Sequence, residues 1–166
     1  AEVTFTGTGY SPERAEFLMA LAQACRVKVW GNGWERYADR LDWGGRAVEG
    51  RDFARACSSS AVVLGINPPL LAGGQMVASN RMWISILAGG FYLGQHLEGM
   101  DRLLRGGEHC AWYTDLDSCI AQVRRWVDDP AGRERVRAAG ERVVRAHHTF
   151  DQRARNVLED RAWTNP

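Results

Sequence analysis

Three short segments of this 166-residue chain carry residue types suited to holding an anion. Gly7-Thr8-Gly9 follows the β-branched run Val3–Thr6 and precedes Ser11-Pro12, a helix start. Small residues between a strand and a helix let a phosphate or a sugar approach backbone amides. They equally suit a tight turn, and both readings stand. Gly31-Asn32-Gly33-Trp34 follows a second β-like run, Val27–Trp30. Its aromatic and amide groups suit a nucleobase, by stacking and hydrogen bonding; alternatively Trp34 anchors the next segment to the core. Ser79-Asn80-Arg81 opens the expected central helix after a loop that begins at Asn67 and contains Gly73-Gly74. Helix-terminal amides, the helix dipole and a guanidinium converge there, a set suited to a pyrophosphate. The bland alternative is an N-cap followed by a surface arginine. Glu108, after Gly106-Gly107, is a weaker candidate, since a solvated loop carboxylate explains it as well.

The elements that must position these residues follow from periodicity. Strands are expected at Val3–Thr6, Val27–Trp30, 61–66, 91–93 and Ala111–Tyr113, with a minor one at 46–48. Helices are expected after Ser11-Pro12, at 34–41, at 52–57, from Ser79 or Asn80 to Ala88, at 96–105, after Asp115 or Asp117, from Pro130, and after Thr149 or Asp151. This β-α alternation predicts an α/β fold: a Rossmann-like parallel sheet with helices on both faces and a helical C-terminal tail over 131–166. One domain is expected to span 1–166. Ligands of such sheets bind beyond the carboxyl ends of the strands, where the Gly7, Gly31 and Asn67 loops emerge.

A dinucleotide cofactor fits poorly. Pro12 stands where a third glycine belongs, and Trp30-Gly31 stands where an acidic residue would hold the ribose. No cofactor and no metal are expected. The cysteines at 25, 57, 110 and 119 form no C-x-x-C pair, and His147-His148 stands apart from them. They read as buried free thiols of a cytoplasmic protein. The start, Ala1-Glu2-Val3, lacks the pattern of a signal peptide. The apolar runs 61–66 and 83–87 fall far short of the roughly 20 residues of a membrane span.

Twenty-one basic residues against 20 acidic ones give a net charge of +1, so nothing pulls the chain globally towards nucleic acid. Lys28 is the only lysine. That arginine skew fits a GC-rich genome, and secondarily phosphate binding, because guanidinium forks match phosphate oxygens. The arginines of the C-terminal third are interleaved with Asp and Glu. That pattern reads as solvated helix faces rather than a nucleic-acid stripe.

Taken in order, these segments resemble a known family. The chain is similar to the C-terminal half of a GT-B glycosyltransferase, of the CgeB-type, group 1 glycosyltransferase-like kind. The resemblance covers nearly the whole chain. It rests on the opening strand and helix with Glu13-Arg14, on the strand before Gly31-Asn32-Gly33-Trp34, and on Asn80-Arg81-Met82-Trp83 running to Gly89-Gly90 and Phe91. It continues in Gly106-Gly107-Glu108 with Tyr113-Thr114-Asp115, and is most specific at the close: Gly140, then His147-His148-Thr149-Phe150 and Arg153.

The resemblance implies a donor-binding domain that moves a sugar from a nucleoside diphosphate sugar to an acceptor without a metal. Arg81, with the amides near Ser79 and Asn80, is the implied diphosphate site and stabilises the leaving group. Gly7, Thr8 and Gly9 then approach the donor. Gly31, Asn32, Gly33 and Trp34 border the base. Asn67 and Glu108 complete the implied donor set. The acceptor half is an N-terminal domain or partner subunit outside this chain, and a nucleic-acid acceptor is the weaker option. Two departures matter. The family's glutamate falls on Ile84 here, and its partner eight residues earlier falls on Met76. Both favour the alternative, a non-catalytic module that binds a nucleotide or a partner chain.

Overall fold

The computed structural model describes residues 1–67 and 78–159. The loop containing Gly73-Gly74 and Met76 lies outside them. Among the described residues, six strands form one parallel sheet: β1 (Val3–Thr6), β2 (Val27–Trp30), β3 (Asp42–Trp43), β4 (Val62–Gly65), β5 (Tyr92–Gln95) and β6 (Ala111–Tyr113). Their spatial order is β3-β2-β1-β4-β5-β6, and every neighbouring pair is parallel. Chain order reverses direction between β1 and β4. That junction is the switch point at which sheets of this type leave a crevice.

Among the described residues, three helices lie between strands, α1 (Pro12–Leu21), α2 (Gly50–Ser58) and α3 (Asn80–Leu87), and three follow the last strand, α4 (Leu116–Asp128), α5 (Pro130–His147) and α6 (Phe150–Leu158). The two faces of the sheet have separate cores, because side chains alternate along a strand. Val3, Phe5, Leu64 and Leu93 pack with Leu18 and Leu21 of α1 and Val123 and Trp126 of α4. Tyr92 and Cys110 pack with Met82, Trp83 and Ile86 of α3 and Val144 of α5. This is the expected Rossmann-like α/β architecture with helices on both faces.

The capping expectations resolve one by one. Ser11 caps α1, with its hydroxyl accepting from the Arg14 N–H at 3.3 Å. Ser79, not Asn80, caps α3. Asp115 and Thr149 cap α4 and α6, each through a reciprocal capping box. Removing the Thr149 hydroxyl with Thr149→Ala is expected to destabilise the protein by about 1 kcal/mol in urea denaturation, with most of the loss in the last helix.

Three expected elements need correction. The minor strand is Asp42–Trp43 rather than 46–48. Asp42 sits opposite Lys28, and their side chains pair at 2.9 Å, while Gly44 and Gly45 turn the chain away before residue 46. The expected helix at 34–41 shrinks to a 3-10 turn, Glu35–Tyr37. The helix expected at 96–105 is only the 3-10 turn Met100–Arg102. Gly99 has φ +88°, a left-handed conformation that breaks a helix, and the Asp101 carboxylate accepts from the Gly106 N–H at 3.2 Å.

All four cysteines are free: Cys57, Cys110 and Cys119 are buried and Cys25 is half-buried. Burial pushes the Cys25 and Cys57 thiols up to about 11 and Cys119 to about 12, so these sulfurs are neutral packing groups at pH 7. Among the described residues no helix is long and apolar enough to cross a membrane.

Candidate functional site

At the switch point, two arginines reach the carboxyl end of β1 from helices on opposite faces of the sheet. The Arg81 guanidinium, from α3, lies 5.3 Å from the centre of the Phe5 ring. The Arg14 guanidinium, from α1, lies 5.7 Å from the same ring. Neither has a carboxylate in ion-pairing range among the described residues. Arg14 spends one N–H on the Thr8 carbonyl at 3.0 Å, while its buried Nε–H has no hydrogen-bond partner among them. Burial pulls both guanidinium pKa values below their ordinary range, and the Arg14 charge lowers that of Arg81 further. Both nevertheless stay charged at neutral pH.

Two half-buried like charges with no counter-charge are costly. Stacking on Phe5 returns only about 0.5–2 kcal/mol each. Such an arrangement is suited to an anion, and guanidinium forks match the oxygens of a diphosphate.

Gly7 makes room for this. A Cβ there would stand 2.8 Å from Arg81 Nη2 and 3.0 Å from the Phe5 ring. Thr6, Gly7, Trp30, Ala47, Val48, Phe53, Arg81 and Ile84 enclose a cleft of about 220 Å³. Val48, Phe53 and Ile84 also line an adjoining groove of about 480 Å³ that continues between α2 and α3.

The remaining glycines serve a different purpose. A Cβ on Gly31 would come 2.0 Å from the Gly7 carbonyl oxygen, and one on Gly9 would come 2.5 Å from that of Gly33. The Gly7 N–H donates to Trp30 O at 2.8 Å, and the Gly9 N–H to Asn32 O at 2.9 Å. These loops therefore interlock with each other, and two of their amides are committed to backbone. Gly31 also has φ +141°. Gly31→Ala is expected to cost about 2–3 kcal/mol in urea denaturation, from that strained conformation together with the clash.

Of the two readings of Trp34, burial selects the anchor. The residue has 0% exposure, meets Phe5 edge-on at 5.9 Å, and donates its indole N–H to Gly7 O at 2.7 Å. It offers no ring face to a base. Asn32 is exposed beside it. Ser79 caps α3, with its hydroxyl accepting from the Arg81 N–H at 3.3 Å and its carbonyl from the Met82 N–H at 3.0 Å. Two first-turn amides are thus already satisfied, and the guanidinium, more than the amides, makes this helix start attractive to an anion. Asn80 is exposed at the first helical position, Thr8 is exposed, and Asn67 is half-buried just past β4, all at the carboxyl end of the sheet.

Glu108 is not part of this assembly. It precedes β6 and so lies at the amino end of the sheet. Its carboxylate pairs with Arg105 Nε at 3.2 Å and His109 Nε2 at 3.2 Å. His109 is only 6% exposed, and burial, with the Arg105 and Arg142 charges, outweighs Glu108 to pull its pKa down. A histidine whose folded pKa is depressed favours the fold when neutral. That stability is fully present above about pH 6.5 and is lost as pH falls from there towards the folded pKa. Urea titrations of His109→Gln should accordingly show a shallower loss of stability on acidification below pH 6.5 than wild type.

Arg14 is the candidate-site residue that the sequence reading missed. The signal was present: a cation in the first turn of a helix opposes the helix dipole, so another interaction must favour it there. The closing segment is structural. His148 stacks on Trp83 at 4.3 Å and the Arg153 guanidinium lies 4.1 Å from the Trp83 ring, fastening the C-terminal helices to α3. The arginines of α5 are partly committed to ion pairs, Arg137 with Glu134 and Glu141, and Arg145 with Glu141.

Among known proteins, this chain has likenesses in fold and in family. No curated protein matches it. Among solved structures, it resembles Anabaena Alr3699/HepE in complex with UDP-glucose, with a TM-score of 0.72 at 12% identity, covering 95% of this chain and 47% of that one. The DNA-modifying enzyme β-glucosyltransferase gives a TM-score of 0.74 at 9% identity, covering 96% and 50%. Sucrose-phosphate synthase from Thermosynechococcus elongatus gives 0.71 at 16%, covering 95% and 45%. At such identities the likeness is one of fold, and this chain spans about half the length of each. A sequence model of the glycosyl transferase-like family matches residues 14–159, from Arg14 through α6. The chain belongs to the glycosyl transferase-like family.

Proposed function

We propose that this chain is the donor-binding half of a glycosyltransferase, holding a nucleoside diphosphate sugar with its diphosphate between Arg81 and Arg14. The observation that carries the reading is the convergence of these two guanidiniums, 5.3 and 5.7 Å from one phenyl ring, with no carboxylate partner among the described residues. Family membership over residues 14–159 supports it, as does the UDP-glucose in the Anabaena relative of the same fold. In this reading Gly7 gives the diphosphate access and the nucleoside extends along the groove between α2 and α3. The guanidiniums stabilise negative charge as the sugar departs, so no metal is needed for that step. The acceptor binds mainly to a second half, in the same polypeptide or a partner, in keeping with the twofold length of the solved relatives.

Calorimetric titration with UDP, GDP and their glucose and mannose derivatives tests this directly. The expected result is saturable binding that weakens with salt. Absence of binding to all of them at millimolar concentration overturns it.

One observation favours a second reading, a module that binds the nucleotide without turnover. Ile84 is 38% exposed on the wall of the cleft, where the family resemblance places a glutamate. Donor hydrolysis or sugar transfer by the protein eliminates it.

A further inference from the structure

We infer that Glu49 is a specificity residue of this cleft, accepting hydrogen bonds from the ribose diol of a nucleotide whose diphosphate lies at Arg81. The inference rests on the donor-binding reading above and adds a residue to it.

The geometry begins on α3. Arg81, Ile84 and Ala88 are spaced by three and four residues, so they form one row along the helix. At 1.5 Å per residue, the row runs roughly 10 Å from the guanidinium end to Ala88. The opposite wall comes from the segment entering α2: Val48, Glu49, Gly50, Phe53 and Ala54. The cleft at Arg81 and the groove share Val48, Phe53 and Ile84, so a ligand anchored at Arg81 extends directly between these walls.

The groove walls are almost wholly apolar. Ile84, Leu87, Ala88, Val48, Phe53 and Ala54 offer no side-chain hydrogen bonds, and Glu49 is the one charged residue among the lining residues. Glu49 stands at the N-cap of α2, yet its side chain makes no capping bond. Its carbonyl accepts from the Asp52 and Phe53 N–H groups, but its carboxylate has no hydrogen bond or ion pair with any described residue. A carboxylate is an acceptor with two oxygens and no donor. The α2 helix gains no cap from it, and no cation on the described surface claims it.

A ligand with a phosphate at one end therefore meets apolar walls along its body and one carboxylate beside them. The carboxylate calls for a neutral donor rather than a second anion, and two vicinal hydroxyls donate to its two oxygens. A nucleotide carries such a pair one sugar ring away from its diphosphate, and a flat base whose faces suit Phe53 and Ile84. A lipid phosphate would use the walls but leave the carboxylate without a partner.

The test is calorimetric titration of wild type and Glu49→Gln with UDP, 2′,3′-dideoxy-UDP and dodecyl phosphate, with thermal melts of both proteins. Glu49→Gln keeps the side-chain length and should melt like wild type, being a surface change. Wild type is expected to bind UDP about tenfold more tightly than the dideoxy compound. Glu49→Gln should lose about that factor for UDP and nothing for the dideoxy compound. Equal loss for both compounds, or no loss for UDP, overturns the role of Glu49 while leaving the donor reading intact. Tighter binding of dodecyl phosphate than of UDP by wild type also overturns it, assigning the groove to an alkyl chain. If wild type binds neither UDP nor GDP, the donor reading fails and takes this inference with it.

Discussion

Replacing Trp34 with alanine is expected to cost the fold about 3–5 kcal/mol, the range for deleting a fully buried large aromatic side chain. The indole has 0% exposure and fills the space between Phe5 and Tyr37, with ring centres 5.9 and 6.1 Å away. Its N–H bond to Gly7 O, at 2.7 Å, ties the loop after β2 to the loop after β1. The variant therefore loses packing, leaves a cavity and orphans a carbonyl that sits beside the ligand cleft. Trp34→Phe isolates part of this. It keeps much of the apolar volume and removes the hydrogen bond, so a smaller loss of about 1–2 kcal/mol is expected. Urea denaturation measures both. The opposite pattern, with stability nearly intact and nucleotide affinity lost, would show that the ring serves the ligand instead of the core.

Trp34 also shows how far the sequence carries. A tryptophan after Gly-Asn-Gly at the end of a strand is compatible with a stacking platform and with an anchor. Composition does not separate them, because the difference lies in where the loop after β1 goes. Only the tertiary contact with Gly7 and Phe5 decides it, and those residues are more than 25 positions away. The glycines behave in the same way. Gly7 faces the cleft, whereas Gly9, Gly31 and Gly33 are filled against other loops, although all four look alike as small residues in strand-to-helix connections.

The elements themselves were legible wherever hydrophobic period, cap and breaker agreed. Four of the five principal strands and the starts of α1, α3, α4, α5 and α6 fall within a residue of expectation, and the strand expected at 91–93 runs two residues further, to Gln95. Expectation failed where a local stop was stronger than the apolar pattern: at Gly99 within 96–105, and at Gly44-Gly45 before 46–48. At the site, Arg81 was legible because a helix start is a local feature. Arg14 was not, because its role depends on the parallel pairing of β1 with β4, which brings α1 and α3 to one end of the sheet. Glu108 entered the donor set through the family resemblance alone, and it precedes β6. Which end of the sheet a loop occupies depends on whether it enters or leaves a strand.

The second large effect concerns Arg81 itself. Arg81→Ala is expected to weaken UDP binding by about 1–3 kcal/mol, the loss for a charged hydrogen bond, while changing the stability of the free protein by less than about 1 kcal/mol. The asymmetry follows from what surrounds the guanidinium. Without ligand it is half-buried, repelled by Arg14 and, among the described residues, set against the Phe5 face, so its removal relieves one cost and forfeits one contact. With a diphosphate present, the same charge becomes a favourable partner in a cleft of low dielectric. Arg81→Lys keeps the charge and loses the fork, so its affinity should fall between the two. Arg14→Ala should act in the same direction, and the double variant should lose less than the sum if both cations hold the same phosphate oxygens. Calorimetry at two salt concentrations completes the argument, since removing a cation that contacts the ligand flattens the salt dependence as well as lowering affinity. A variant that is less stable but binds UDP with unchanged affinity and salt dependence would make Arg81 a packing residue, and the anion would have to be seated elsewhere.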